Sequence, residues 1–211
     1  MGKDTSFLFK KQIFLEFGHT AKMSQLIRKS VSSLLAQAKD GRVSSRLAQT
    51  LSGVKNLDMD SVRGERKVAI GLQSDEGKRL LQGFNFNNRA SFDSVFRGDY
   101  ALDAETGTVT LTDFNPATHL AIPGGGTHVR LSVAMSRVDF ETGVYQTTYS
   151  DKLSLALTDA LTTQTLVPLS VPTGNGVQLF YFLLEFFQEL NGTQYPLRNN
   201  AHNVLFLMEV L

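Results

Sequence analysis

The chain has 211 residues, a formal net charge of +1 at pH 7, 42% hydrophobic residues and no cysteine. That length sustains an ordinary core without staples, and the missing cysteines exclude disulfides, thiolate chemistry and Cys-based metal sites. The near-neutral total hides a division: residues 1–70 carry thirteen Lys or Arg against six Asp or Glu (+7), and residues 71–211 carry eight against fourteen (−6).

The opening MGKDTSFLFKKQIFLEFGHT interrupts its apolar residues with Lys10, Lys11 and Glu16, so it has neither the apolar core nor the small-residue cleavage site of a signal peptide. No apolar run approaches the roughly 20 residues that span a bilayer. The expected compartment is the cytoplasm by default, with a phage particle or non-classical export as the other routes. Phe7, Phe9, Ile13, Leu15 and Phe17 fall on one side of an alternating pattern, with Lys10, Gln12 and Glu16 on the other. This predicts a strand or extended arm over 7–17. Helical patterning follows it, so its pairing partner must come from far along the chain or from another subunit.

From Thr20 the period changes. Met23, Ile27, Val31, Leu34, Leu35 and Ala38 recur at three and four residues, predicting a helix over about 21–38 that ends at Asp40-Gly41. Val43, Leu47, Leu51 and Val54 predict a second helix over about 42–54, and the short connection makes the two an antiparallel hairpin. Ser61 is a candidate cap for a third helical segment reaching about Leu72, weakened by Gly64 and Gly71. Ser74, followed by Asp75 and Glu76 and closed by Gly83, marks a short helix with acidic residues where the dipole favours them.

Beyond Gly83 the chain reads as short strands separated by turns. Two copies of D-x-E-T-G, at Asp103–Gly107 and Asp139–Gly143, place a glycine where a hairpin needs positive φ. Asn191-Gly192 is a two-residue hairpin signal. Residues 177–190 also carry polar groups at helical spacing, but the six-residue run Leu179–Leu184, with three aromatics, favours a strand buried on both faces. The expected fold is α+β. An N-terminal arm and basic helical region over 1–82 precede an antiparallel β-sandwich of about eight or nine strands over 83–211.

Chemical signatures are sparse. There is no nucleophile elbow, no H-E-x-x-H and no P-loop, and the Gly124–Gly126 run leads into a strand instead of a helix. His119 and His128 flank that run and would need Asp113 or Asp139 to complete a metal site. Asp58 with Asp60, and Asp103 with Glu105, read as solvated linker and turn residues. The expectation is a protein without catalytic residues, cofactor or metal. Within 17–57 there are seven cations, Lys22, Arg28, Lys29, Lys39, Arg42, Arg46 and Lys55, against the single anion Asp40. A basic hairpin over 20–56 can contact nucleic-acid phosphates or another polyanion. However, residues 18–83 contain no aromatic residue to stack on bases.

The strings GRVSSRLAQTL, SVRGERKVAIGL, EGKRLLQGFNFN, THVRLSVAMSRVDFETG, VPTGNG and LLEFFQELNG, in this order, resemble an uncharacterised bacterial protein family of unknown function. The resemblance runs from about Gly41 onward and implies a bacterial or phage-related protein with a helical front and a β-rich body. It supplies no site residues. The leading expectation is a non-enzymatic structural or interaction protein that assembles with copies of itself into a filament or particle. It would use Phe7, Phe9, Ile13, Leu15 and Phe17 as an exchanged arm and oppositely charged halves as head-to-tail contacts. A polyanion-binding protein is the alternative. A third reading is a carbohydrate or peptide module using the loops 113–127 or 172–176.

Overall fold

The computed structural model describes residues 2–197 and 200–211, with side chains from Lys10 onward. Its helices are α1 (Gly2–Ser30), α2 (Ser32–Leu35), α3 (Val43–Asn56), α4 (Val68–Gly71), α5 (Asp75–Leu81), α6 (Phe92–Val95) and α7 (Pro116–His119). The strands are β1 (Ala101–Asp103), β2 (Thr108–Phe114), β3 (His128–Val138), β4 (Tyr145–Tyr149), β5 (Leu153–Ala156), β6 (Thr162–Leu166), β7 (Val177–Leu190), β8 (Thr193–Pro196) and β9 (Val204–Val210). The fold is α+β, with nine antiparallel strands among the described residues.

Residues 7–17 are the main correction: they are helical, part of α1, and not a strand or extended arm. A lone strand would leave a row of N–H and C=O groups unpaired, whereas a helix satisfies them internally. The inward face is the polar one the alternation concealed: Glu16, Thr20, Ser24, Ile27 and Val31 are buried at spacings of three and four. The helix expected to reach residue 38 is interrupted after Ser30. The Ser30 carbonyl is drawn to the sheet by the Thr147 hydroxyl at 2.7 Å and the Tyr149 hydroxyl at 3.3 Å, while the Ser30 hydroxyl donates back to Ile27 O. Only the single turn of α2 follows.

The second helix forms as α3, tied to α1 by the Ser24 hydroxyl on Ser44 O at 3.2 Å. The third expected segment is helical only at α4. Before it, the fully buried carboxylate of Asp58 gathers the N–H groups of Asp60, Ser61 and Lys67 at 3.1, 2.9 and 2.8 Å, winding the chain into a loop. Asp58 is thus a structural anchor and not a solvated linker residue. Gly71 permits α4 to touch α3, because a β-carbon there would lie 2.0 Å from Val54 O. Gly71→Ala is expected to cost about 2 kcal/mol by overpacking, read as a lower urea midpoint with an unchanged m-value. Ser74 caps α5 by accepting Gly77 N at 3.1 Å.

Both D-x-E-T-G segments close hairpins in the same way: Gly107 N and Gly143 N reach the Asp103 and Asp139 carbonyls at 2.8 and 2.9 Å. Each Asp carboxylate also accepts the N–H two residues on. Asn191 and Gly192, at φ 51° and 78°, join β7 to β8. β7 is a strand throughout, paired with β3 from His128↔Phe187 to Val138↔Val177 and on its other edge with β8 and β9.

A six-stranded sheet (β4 and β5 beside β3, then β7, then β8 and β9) is covered on both faces. One face carries Ala134, Leu179, Tyr181, Leu183 and Leu205, which pack with Ile27, Val31, Leu47, Leu51 and Leu81 of the helices. The opposite face carries Val129, Leu131, Phe180, Phe182 and Leu184, which pack with Val109, Leu111 and Leu166 of the three-stranded sheet β1-β2-β6. Residues from both sides of position 82 therefore share one core. Alternation along β3 and β7 sends successive side chains to the two cores, which is why β7 is apolar on both faces.

Candidate interaction surfaces

The seven cations of the basic block do not form one face. Lys55 is buried and its ammonium pairs with the Glu16 carboxylate. The other Glu16 oxygen accepts Gly64 N at 2.7 Å. Burial alone would push the Glu16 carboxyl up, but Lys55 and the Gly64 N–H outweigh it and hold it below its ordinary value. Beside it, His19 Nε2 accepts Val68 N at 3.0 Å, and burial together with Lys67 and Lys55 disfavours the charged imidazole. These contacts clamp the 57–67 loop onto α1.

Arg46 is also committed to the fold. Its guanidinium reaches Asp40 Oδ2 at 2.5 Å, Asn85 O at 2.9 Å and Phe86 O at 3.3 Å, and lies 5.1 Å from the Phe84 ring centre. Arg28 is half-buried, while Lys22, Lys29, Lys39 and Arg42 remain exposed. The polyanion reading is left with those four in the open.

A cavity of about 440 Å³ opens where the start of α3 meets the segment after Phe86, lined by Asp40, Gly41, Arg42, Arg46, Asn88 and Arg89. Asp40 organises it, accepting Arg42 N at 2.6 Å on Oδ1 and Asn88 N at 2.8 Å on Oδ2, the oxygen that also takes Arg46. Burial would raise the Asp40 carboxyl, but the Asn88 and Arg42 N–H groups and Arg46 hold it low. The sequence named Arg42 and Arg46; Asn88 and Arg89 sit in a turn whose distance from them is spanned only by the fold.

On α1, Ile13, Phe14, Leu15 and Phe17 are 46, 75, 53 and 66% exposed. At 100° per residue they cover three sides of the helix, and Glu16 alone in this stretch points to the protein body. Phe14 escaped the sequence reading because a strand would have placed it on the polar face. Phe7 and Phe9 lie in the same helix, with side chains outside the described residues. The clamped 57–67 loop adds Met59 and Val62, 83 and 68% exposed.

Asn175 of the 172–176 loop lines two cavities. A cavity of about 300 Å³ lies between the β3–β4 turn and Thr173–Asn175, with Arg137, Tyr145 and Asn175 on its walls. Gln146 Oε1 accepts both Thr173 N and its hydroxyl, at 2.7 and 2.8 Å, and so fixes the loop. In the 113–127 loop, Asn115 caps α7, and His119 Nδ1 accepts Asn115 N at 3.3 Å. His128 instead faces Glu189 at 3.5 Å. Among the described residues no three His, Asp or Glu side chains are placed to share a metal ion, and no helix is long and apolar enough to cross a membrane.

No protein-family model matches the chain, no curated protein is detectably similar in sequence, and no solved structure is detectably similar in fold.

Proposed function

We propose that this is a non-enzymatic structural or interaction protein that assembles with copies of itself, using the first half of α1 as a helical arm. The carrying observation is the set of four large apolar side chains exposed on three sides of that helix. A helix apolar on several sides is normally enclosed by other surfaces. A contiguous apolar patch of this type marks an interaction site.

Charge favours a second copy as the occupant. Lys10 and Lys11 are exposed on the arm, while residues 71–211 sum to −6 and expose Asp75, Glu76, Asp93, Asp99, Asp103 and Glu105, interspersed with Arg79, Arg89 and Arg97. A basic arm seated on the acidic body of a neighbour is a heterologous contact, which either closes into a ring or propagates as a filament. This keeps the head-to-tail arrangement expected from the sequence and replaces strand exchange with helix docking. A bacterial or phage particle component, or a filament, fits that geometry.

The test is light scattering after size-exclusion chromatography across a wide concentration range, with electron micrographs of the same fractions. Wild type is expected to form discrete or filamentous oligomers, and Phe14→Glu/Phe17→Glu to run as a monomer with an unchanged circular dichroism spectrum. A wild-type monomer throughout, or assembly untouched by the double change, would overturn the proposal. So would a monomer that uses Phe14 and Phe17 to bind lipid vesicles.

A further inference from the structure

The geometry points to a second site: we infer that the cavity between the start of α3 and Asn88-Arg89 binds a phosphate group. Three arginines, Arg42, Arg46 and Arg89, line it with one acidic residue, Asp40, a formal sum of +2 among its lining residues. The carboxylate does not cancel the two outer arginines, because both of its oxygens are turned to Arg46 and to the N–H groups of Arg42 and Asn88.

The three arginines play unequal parts. Arg46 is a fixed wall: Asp40, two backbone carbonyls and the Phe84 ring fix its position, so it supplies field but few free donors. Arg42 and Arg89 are exposed, and neither guanidinium has a hydrogen-bond or ion-pair partner among the described residues. They belong to segments 47 residues apart, brought together by the Asp40 to Asn88 bond. Two cations held on the walls of one cavity repel each other until an anion lies between them.

The charge and shape select the anion. Arginine's planar fork matches the oxygen edges of phosphate and can hold two at once. A phosphate monoester carries about −1.5 to −2 at neutral pH, which matches the +2 of the walls, whereas a carboxylate supplies half of it. The cavity, at about 440 Å³, falls within the range of about 300–1,000 Å³ that accommodates small-molecule ligands, so it has room for a phosphate with a group attached. The charge match favours a free monoester; a nucleic-acid backbone carries one charge per phosphodiester and reaches the same value only by placing two neighbouring phosphates at the site. The site does not depend on the α1 arm.

The test is amide-resolved NMR titration of the full chain with inorganic phosphate, with sodium acetate at equal ionic strength as control. Phosphate is expected to shift the amides of residues 40–42 and 88–89, and acetate to leave them in place. Arg42→Gln/Arg89→Gln should weaken phosphate binding about tenfold or more without changing the unfolding midpoint, since neither side chain holds the fold. Arg46 is left intact because its removal would disturb Asp40.

A second arm uses a short single-stranded oligonucleotide. Tighter binding than phosphate, with a steep salt dependence that the double variant flattens, assigns the backbone as the source. Weaker binding assigns a free ester. Equal shifts with acetate, or wild-type phosphate affinity in the double variant, would overturn the inference. The same holds if phosphate fails to bind and the double variant instead breaks up oligomers, because the cavity would then serve the contact between copies.

Discussion

Replacing Lys55 by Met, with Glu16 left in place, will lower the unfolding free energy by about 3 kcal/mol. The carboxylate would remain under the 57–67 loop with the Gly64 N–H and the charge of nearby Arg66, but no ion-pair partner in contact, to answer it. Breaking a buried ion pair from one side is costly because the surviving charge is both desolvated and unpaired. The figure sits at the low end of the usual range because a single loop forms the cover. The double change Glu16→Leu/Lys55→Met should recover most of the loss, since two apolar groups remove the charge along with its partner. Urea unfolding at neutral pH reads all three proteins. A double variant as unstable as the single one would show that the pair matters for packing and not for charge. Because Glu16 and Lys55 anchor α1 just below its exposed stretch, Lys55→Met should also speed proteolytic cleavage ahead of residue 16.

Asp58→Ala is expected to cost a similar amount, about 3 kcal/mol, by stripping three N–H groups of their shared acceptor. Asp58 also gives stability a pH signature. Burial would raise its carboxyl, but the N–H groups of Lys67 and Ser61 hold it below the ordinary value of 3.8, as similar bonds do for Asp40. A carboxylate whose folded pKa is depressed stabilises the fold above the unfolded pKa, and that contribution is lost as pH falls through the folded value. Wild type should therefore weaken steeply as pH drops below about 4. Asp58→Asn should be weaker at pH 7 yet decline less over the same acid range. Glu185 works in the opposite direction: burial raises its carboxyl, so its contribution is greatest in acid and fades as pH rises past its unfolded value of 4.5. Parallel acid limbs for wild type and Asp58→Asn would refute the role assigned to Asp58.

What the sequence made legible was whatever a local rule controls. The stripe from Val43 to Val54 became α3, Ser74 became a cap, and Asn191-Gly192 became the β7–β8 turn, because spacing and turn chemistry decide such features within a few residues. β7 could be told from a helix because its apolar run had to face two cores at once. Residues 7–17 misled for the converse reason: Ile13, Phe14, Leu15 and Phe17 lie outside, so the pattern did not report which face is packed. The roles of Glu16, Asp58 and Lys55 were hidden because a charged residue reads as solvated until a distant loop covers it. The arginine cavity was half visible, with Arg42 and Arg46 in a recognisable basic block and Arg89 reachable only across the fold.

The position of β7 has a consequence for how the molecule comes into being. Its partner β3 lies about 50 residues earlier in the chain, and β9 adds itself from the following segment, so neither edge can be covered by a purely local hairpin apart from the short β8. Until both long partners arrive, LFYFLLEFF stands as an uncharged, aromatic, β-prone ribbon broken only by Glu185. Such segments seed intermolecular stacking in unfolded chains. Sheet topologies dominated by distant pairings also fold slowly enough to leave that ribbon uncovered. Glu185, which burial penalises in the finished protein, is the one charge available to keep unfolded copies apart, and it acts there as a gatekeeper during the interval before the sheet closes.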